Sequence, residues 1–260
     1  MSTRFLSRLR FLVRRFYWEN FIRFGTFLSY QSSFFLRRKL RFGRENILAC
    51  AFGGEVEFLG KDKHPVTIIV RAGDRIGGLE LFECDPELGK DCYNKSHYSR
   101  VDYPAVPVLG NGLHMFVTGE TAGRKSYFVR GYQGDKIRDT TLVFSKIEQQ
   151  PTIRQKGTLS VDGAYPPTFP WPEPRDGNYW ISFLMIFSPT TMRLKTGIYS
   201  WANRWRFPFV NRVPYYYHDA LPVPALEPGE PYQAVYMAID REGWIPYLDM
   251  VPVERPVEGD

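Results

Sequence analysis

Short apolar runs separated by turn residues most constrain the fold of this chain, and they extend from residue 47 to residue 251. Each run is shorter than an ordinary helix and is bounded by Gly, Pro, Asp or Asn, which is typical of strands joined by turns. The 20 Pro, 22 Gly, 20 Phe and 16 Tyr residues fit this interpretation better than a helical bundle. The pattern predicts a mainly β domain over residues 47–260, built as a β-sandwich or as a jelly-roll-like fold.

Two hairpins and a central strand organise the predicted domain. Residues 55–59 are predicted to pair with residues 66–71, and residues 232–239 with residues 244–251 around a glycine-containing turn. Residues 179–187 form the most apolar run of the domain, which predicts a central strand buried on both faces. Shorter strands are predicted at residues 79–82, 113–118, 126–130, 141–144 and 158–161.

The segment 165–174 is rich in proline. Proline lacks a backbone N–H, so this segment cannot be a central strand or the interior of a helix. We predict an ordered loop or crossover that covers one side of the sheet. No domain boundary is evident between residues 47 and 251.

Residues 1–46 have a different composition and form a predicted N-terminal arm. Residues 1–18 contain no acidic side chain. At about 100° per residue their apolar and basic side chains fall on opposite arcs of a helix, with only Phe11 and Trp18 out of place. The apolar arc comprises Phe5, Leu6, Leu9, Leu12, Val13, Phe16 and Tyr17. The basic arc comprises Arg4, Arg8, Arg10, Arg14 and Arg15. A break at Gly25 and a second apolar piece precede another basic cluster, which comprises Arg37, Arg38, Lys39 and Arg41.

All the excess positive charge of the chain is in this arm. The net charge is +6, but residues 1–46 hold 11 basic and 2 acidic side chains, a balance of +9. The remaining residues hold 23 basic and 26 acidic side chains, a balance of −3. The body is therefore nearly neutral and is not expected to bind nucleic acid non-specifically.

A helix with one apolar and one basic arc suits a surface that is both apolar and negatively charged. The arm predicts docking on other protein subunits or on an anionic membrane surface, and contact with nucleic acid is an alternative. Its acid-free composition also resembles a mitochondrial targeting segment, so inner-membrane association is expected in a eukaryote and a virion location in a virus. The simplest alternative is a helix that packs on its own domain.

No catalytic site, cofactor, metal site or small-molecule substrate is predicted. Nucleophilic catalysis needs a Ser or Cys together with a His and a carboxylate. The chain has 4 histidines, and the most suggestive pair, His218 beside Asp219, is more simply explained as a surface histidine next to an aspartate. Cys84, Cys92 and His97 are spaced more loosely than the ligand pairs of structural zinc sites. The odd number of cysteines favours a reducing compartment, and the sequence leaves a Cys84–Cys92 bridge open.

Aromatic and arginine residues of the predicted loops have the composition of a protein interface. Core packing, or stacking on sugars or bases, would explain the same residues. The candidate interface comprises Trp171, Trp201, Arg204, Trp205, Arg206, Tyr215, Tyr216 and Tyr217.

These patterns lead to a hypothesis of a non-catalytic structural or accessory subunit in a large, membrane-associated multiprotein assembly, docked through its arm. The alternative is a viral coat or tail protein whose basic arm contacts nucleic acid or neighbouring subunits. A third hypothesis is a sugar-binding β-sandwich, which would require the loop tryptophans to be accessible.

Overall fold

The computed structural model describes residues 47–54, 56, 66–73, 75–85, 91–110, 112–119, 124–162, 166–172, 179–200, 203–207 and 225–256. These residues form a mainly β structure, as predicted. The predicted arm, residues 1–46, lies outside the described residues, so its helical organisation stays a prediction. Among the described residues, none lie in a helix with the length and apolar character that crossing a membrane requires.

The described strands form three sheets and one smaller pair. The inner sheet, ordered β1-β2-β6-β5, consists of β1 (Leu48–Phe52), β2 (Thr67–Arg71), β5 (Val106–Pro107) and β6 (Leu113–Val117). The outer sheet is ordered β4-β3-β7-β8 with β9 also on β7, and consists of β3 (Gly77–Cys84), β4 (Ser99–Val101), β7 (Ser126–Gln133), β8 (Lys136–Asp139) and β9 (Val143–Phe144).

The C-terminal half supplies the third sheet and the pair. The long-strand sheet is ordered β10-β16-β15-β12-β13 and consists of β10 (Ile153–Arg154), β12 (Tyr179–Ser188), β13 (Arg193–Ser200), β15 (Pro231–Asp240) and β16 (Tyr247–Glu254). The cover pair consists of β11 (Thr168–Pro170) and β14 (Arg204–Arg206). The short β10–β16 pairing is parallel, and the other pairings between these strands are antiparallel.

The layers stack in the order outer sheet, inner sheet, long-strand sheet and cover pair. Successive side chains of a strand point to opposite faces. On β2, Ile69 therefore packs with the long-strand sheet, whereas Ile68 and Val70 pack with the outer sheet. Both faces of the inner sheet are buried in this way. The arrangement is a sandwich with more than two layers, so the jelly-roll alternative is wrong for the described sheets.

The predicted central strand is confirmed as β12, which lies between β13 and β15. Its odd-numbered residues, such as Phe183 and Met185, face the inner sheet. Leu184 and Ile186 face the cover pair. The apolar run is continuous because a strand covered on both faces has no solvent side to mark with polar residues.

The C-terminal hairpin is also confirmed, with β15 and β16 antiparallel. Asp240 organises its turn, since Oδ1 accepts the backbone N–H groups of Glu242 at 2.8 Å and Trp244 at 2.9 Å. Gly243 has a φ of +75°, a conformation that costs glycine little. Lys146 donates to Asp240 Oδ2 at 2.5 Å and ties the turn to the segment after β9.

One predicted hairpin pairing and one predicted strand are wrong. Both sides of β2 are paired, one with β1 and the other with β6, so residues 55–59 cannot be its hairpin partner. Residues 158–161 do not form a strand, because the backbone N–H of Leu159 donates to the carboxylate of Asp249 at 2.9 Å rather than to a neighbouring strand. At residues 158–161 the local apolar pattern was too short to decide between a strand and a loop.

Candidate functional site

The two tryptophans of the predicted interface that the structure describes, Trp171 and Trp205, belong to the core. Trp171 is 2% exposed and Trp205 is 4% exposed, and both pack between the cover pair and the long-strand sheet. The ring of Trp205 lies 5.6 Å from that of Phe169 and 5.7 Å from that of Phe207, measured between centroids. The prediction that Trp171 and Trp205 form a contact surface is therefore wrong. The same burial excludes these two rings as platforms for a sugar.

The arginines beside Trp205 have the opposite environment. β14 alternates, so that Arg204 and Arg206 are exposed on either side of the buried Trp205. Only the charged part of this predicted interface is therefore accessible on β14. The remaining predicted members, Trp201, Tyr215, Tyr216 and Tyr217, lie outside the described residues, as do His218 and the arm.

A second group of aromatic residues lies on the surface of the outer sheet that points away from the inner sheet, which we call the outer face. Phe82 on β3 and Phe128 on β7 are cross-strand partners, with ring centroids 4.8 Å apart and planes within 3°. Their neighbours Leu81 and Val129 point to the opposite side and pack in the core with the inner sheet. Strand alternation thus places one aromatic layer on an outward surface.

Two cations lie against this aromatic stack. The Arg130 guanidinium is 4.9 Å from the ring centroid of Phe82 and 5.6 Å from that of Phe128. Lys95 Nζ lies 4.5 Å from the Phe128 centroid. Asp139 links both cations, since it accepts from Arg130 Nε at 2.8 Å and NH2 at 3.1 Å, and from Lys95 at 3.2 Å. A bidentate arginine–carboxylate pair fixes orientation as well as charge.

The electrostatic environment agrees with this geometry. Partial burial alone would raise the pKa of Asp139, but the hydrogen bonds and positive charges of Arg130 and Lys95 outweigh it and lower that pKa. The hydrogen bond to Asp139 raises the pKa of Arg130. Asp139 and Arg130 are therefore both charged at neutral pH, and each holds the other in place.

A disulfide fixes the segment that carries Lys95. Cys84 on β3 is bonded to Cys92, with their Cα atoms 5.7 Å apart. Tyr98 supports the same segment, because its hydroxyl donates to the Cys92 carbonyl and lies 2.7 Å from Ser126 Oγ. Burial raises the pKa of the Tyr98 hydroxyl, which favours its neutral, donating form. Residues 91–98 are thus held over one end of the outer face.

The disulfide decides a bond that the sequence left open, and it bears on the predicted compartment. Disulfides form in oxidising environments, so the predicted reducing compartment does not suit the cysteine pair. The odd cysteine is Cys50, which is buried in the core, and burial raises the pKa of its thiol to about 12. Both sulfurs of the loose Cys-x7-Cys-x4-His pattern are consumed in the bond, and His97 Nδ1 lies 2.9 Å from the Asp91 carbonyl oxygen.

Exposed aromatic and aliphatic groups lie at both ends of the outer face. Tyr93, beside the disulfide, is 72% exposed. Tyr132 on β7 and Ile137 on β8 are cross-strand partners at the other end and are 37% and 56% exposed. The Tyr132 hydroxyl donates to Glu80 at 2.7 Å, and Arg100 forms an ion pair with the same carboxylate at 3.2 Å. The outer face therefore combines exposed apolar area with fixed charges.

The sequence contains signals for this face that differ from those behind the predicted interface. Gly134 and Asp135 form the two-residue turn between β7 and β8, and Gly134 has a φ of +55°. A Gly-Asp pair between strand-like runs is a recognised hairpin signal. Phe128, Arg130 and Tyr132 also recur at every second position, which predicts a shared face. Only the tertiary structure shows that no described sheet covers it.

Comparisons with known proteins do not add a function. No protein-family model matches the chain, and no curated protein matches it. Solved structures that are similar include a two-domain fibronectin type-III segment of chicken tenascin, at 12% identity and a TM-score of 0.29, covering 75% of this chain and 95% of that one. The FN1–FN3 domains of chicken CNTN1 are similar at 11% identity and a TM-score of 0.28, covering 80% of this chain and 66% of that one. The chicken interferon gamma receptor alpha chain is similar at 7% identity and a TM-score of 0.27, covering 83% of this chain and all of that one. Likeness at this level carries no argument about activity or partners.

Proposed function

We propose that the chain is a non-catalytic structural or accessory subunit of a large, membrane-associated multiprotein assembly. In this proposal the outer face contacts a protein neighbour, and residues 1–46 dock on other subunits or on anionic lipid. The observation that carries it is the exposed Tyr132–Ile137 pair beside the fixed Arg130–Asp139–Lys95 cluster.

The composition of the outer face supports a protein partner. Tyrosine and arginine dominate binding energy at protein interfaces, particularly where they are held rigidly. Tyr132 and Arg130 are already fixed by Glu80 and Asp139, so binding would immobilise little additional side-chain freedom. Tyr132 and Ile137 supply apolar area that a partner could remove from water.

The described histidines and cysteines support the non-catalytic part of the proposal. His114 Nδ1 lies 3.2 Å from the Gly112 carbonyl oxygen, and His97 Nδ1 bonds to a backbone carbonyl in the same way. Cys50 is buried in the core, and its raised thiol pKa disfavours the reactive thiolate.

The β-domain part of the proposal is tested by Ile137→Asp in the full chain. A charged carboxylate at the centre of a dry contact should lower the native mass of the particle isolated in mild detergent, because desolvating it is unfavourable. Ile153→Asp is the matched control, since Ile153 is similarly exposed on β10, in a different sheet. The proposal fails if the native mass is unchanged in Ile137→Asp, or if both variants lower it equally.

The arm is tested separately by changing Arg4, Arg8, Arg14 and Arg15 together to Glu. Each arginine near an anionic lipid surface contributes about 1 kcal/mol of attraction, so reversing four charges should abolish docking. The circular dichroism spectrum of the β-domain should stay unchanged. Unaltered assembly in this variant would contradict the role of the arm while leaving the outer face as a separate contact.

A further inference from the structure

The exposed turn after Cys92 contains the sequence Asn94-Lys95-Ser96. Asn-x-Ser/Thr, with x other than proline, is the acceptor sequence for N-linked glycosylation and marks a surface loop of a secreted protein. No other asparagine in the sequence is followed at this spacing by Ser or Thr. In the outer face only the Lys95 side chain of this motif has a role, so the Asn94 and Ser96 side chains are left without one.

The local geometry leaves the asparagine nitrogen available. Asn94 and Ser96 are both exposed. Asn94 Oδ1 accepts from the Ser96 backbone N–H at 3.0 Å and from Ser96 Oγ at 2.8 Å. The two acceptor-sequence side chains are therefore in direct contact. Within the described part of the chain, Asn94 Nδ2 donates to no other residue.

The disulfide is a second, independent observation. Cys92 lies two residues before Asn94 and is bonded to Cys84. Stable disulfides form in the oxidising compartments through which secreted and cell-surface proteins pass, and N-linked glycans belong to the same class of protein. The bond and the acceptor sequence thus point to one compartment.

We propose that Asn94 is an N-glycosylation site that takes an oligosaccharide from a lipid-linked diphosphate donor. Asn94 Nδ2 forms a bond to the anomeric carbon of the first sugar while the bond from that carbon to the donor phosphate oxygen breaks. The electron pair leaves with the lipid diphosphate, and one Nδ2 proton passes to a base of the transferase. No oxidation or reduction takes place.

The glycan would lie at the disulfide end of the outer face. Cys84 is the cross-strand partner of Ser126, at the start of β7, whereas Tyr132 is near its end. At about 3.4 Å per residue these two positions are about 20 Å apart. A glycan on Asn94 therefore leaves the Tyr132–Ile137 end open to a protein neighbour. The glycosylation proposal does not depend on that contact.

The test is peptide mapping by mass spectrometry of the full chain, isolated from its natural source without reduction. We expect the peptide that contains Asn94 to carry hexosamine-containing mass, and peptide N-glycosidase to remove it and convert Asn94 to Asp. An unmodified Asn94 in the isolated chain would overturn the proposal, whatever the state of the disulfide.

Variants made in the same cells separate the motif from other modifications. Asn94→Gln and Ser96→Ala should lose the added mass, and Ser96→Thr should retain it because threonine preserves the acceptor sequence. Asn203→Gln is the matched control, since Asn203 is exposed but has no Ser or Thr at the required spacing. Added mass that persists in Asn94→Gln would contradict the assignment.

Discussion

The cover pair and the outer face both combine aromatic rings with arginine, yet they place the rings and the charges differently. At the cover pair, Trp205 and Phe169 are buried while Arg204 points outward. On the outer face, Arg130 lies on the same side of the sheet as the aromatic rings and packs against Phe82. The spacing along the strand decides the difference, because adjacent residues separate onto two faces and alternate residues share one.

The comparison shows that interface-like composition is not evidence of an interface. Arg-Trp-Arg on one strand places the ring and the charges on different sides of the chain. Phe128, Arg130 and Tyr132 place aromatic and charged groups together on one surface. A charged group over an aromatic ring also stabilises the surface before any partner binds.

The largest expected effect is a loss in the free energy of unfolding, and it occurs at the cover pair. Trp205→Ala should lower it by about 3–5 kcal/mol, because a cavity would form between the cover pair and the long-strand sheet. Arg204→Ala, one residue away, should change it by less than about 0.5 kcal/mol. Urea denaturation of both variants checks this contrast. Similar losses in the two variants would mean that the cover pair does not separate core from solvent as described.

The disulfide beside the outer face should contribute the next largest effect. Replacing Cys84 and Cys92 together by Ser should lower the free energy of unfolding by about 2.5 kcal/mol, because the unfolded chain regains the freedom of the short loop. Urea denaturation of the oxidised protein and of the double variant measures the loss. A reducing agent should destabilise the parent protein and leave the variant unaffected. Equal stability of the oxidised protein and the variant would contradict this contribution.

Arg130→Ala should have an intermediate effect. It leaves the partly buried Asp139 without its bidentate partner, which costs about 1–3 kcal/mol. Arg100→Ala is the control, because the Arg100 side chain is 63% exposed in its ion pair with Glu80, and ion pairs of exposed side chains are worth about 0–1 kcal/mol. Thermal unfolding of the two variants measures the difference. An Arg100→Ala loss as large as that of Arg130→Ala would show that geometry and burial do not distinguish the two arginines.

The smallest effect concerns pH. The folded-state pKa of Asp139 is lowered, so its contribution to stability is present above the pKa of the unfolded chain and is lost as pH falls through the folded value. Stability measured by denaturant titration should therefore decline toward acid pH more steeply in the parent protein than in Asp139→Asn. The same slope in both proteins would show that Asp139 is not the responsible group.

Several parts of the fold were predictable because their signals are local. The continuous apolar run at β12 and the glycine-containing turn between β15 and β16 each specify a structure without reference to distant residues. The first hairpin was not predictable in the same way. β2 has two partners, β1 and β6, and which strands pair over such separations depends on packing rather than on spacing.

The candidate site shows the same limit. The segment around Trp205 has the composition of an interface, but the strand that contains Trp205 decides which face its ring lies on. Trp205 alternates with arginines on β14, and that strand was not predicted. The outer face could have been found from Phe128, Arg130 and Tyr132, whose alternation is visible in the sequence. The accessibility of the outer face could not be predicted from the sequence, because it depends on which side of the outer sheet the inner sheet covers.

By itself the sequence determined the mainly β class, the β12 strand that packs on both faces, the C-terminal hairpin and the separation of charge between arm and body. These follow from periodicity, turn residues and composition, which act over a few residues. Only the tertiary structure decided that the sheets stack in more than two layers, that Cys84 pairs with Cys92, and that Trp205 is buried while Tyr132 is exposed. Those outcomes depend on contacts between residues far apart in the chain. Because the hydrophobic effect is non-directional, a local pattern specifies that a side chain is buried but not what it packs against.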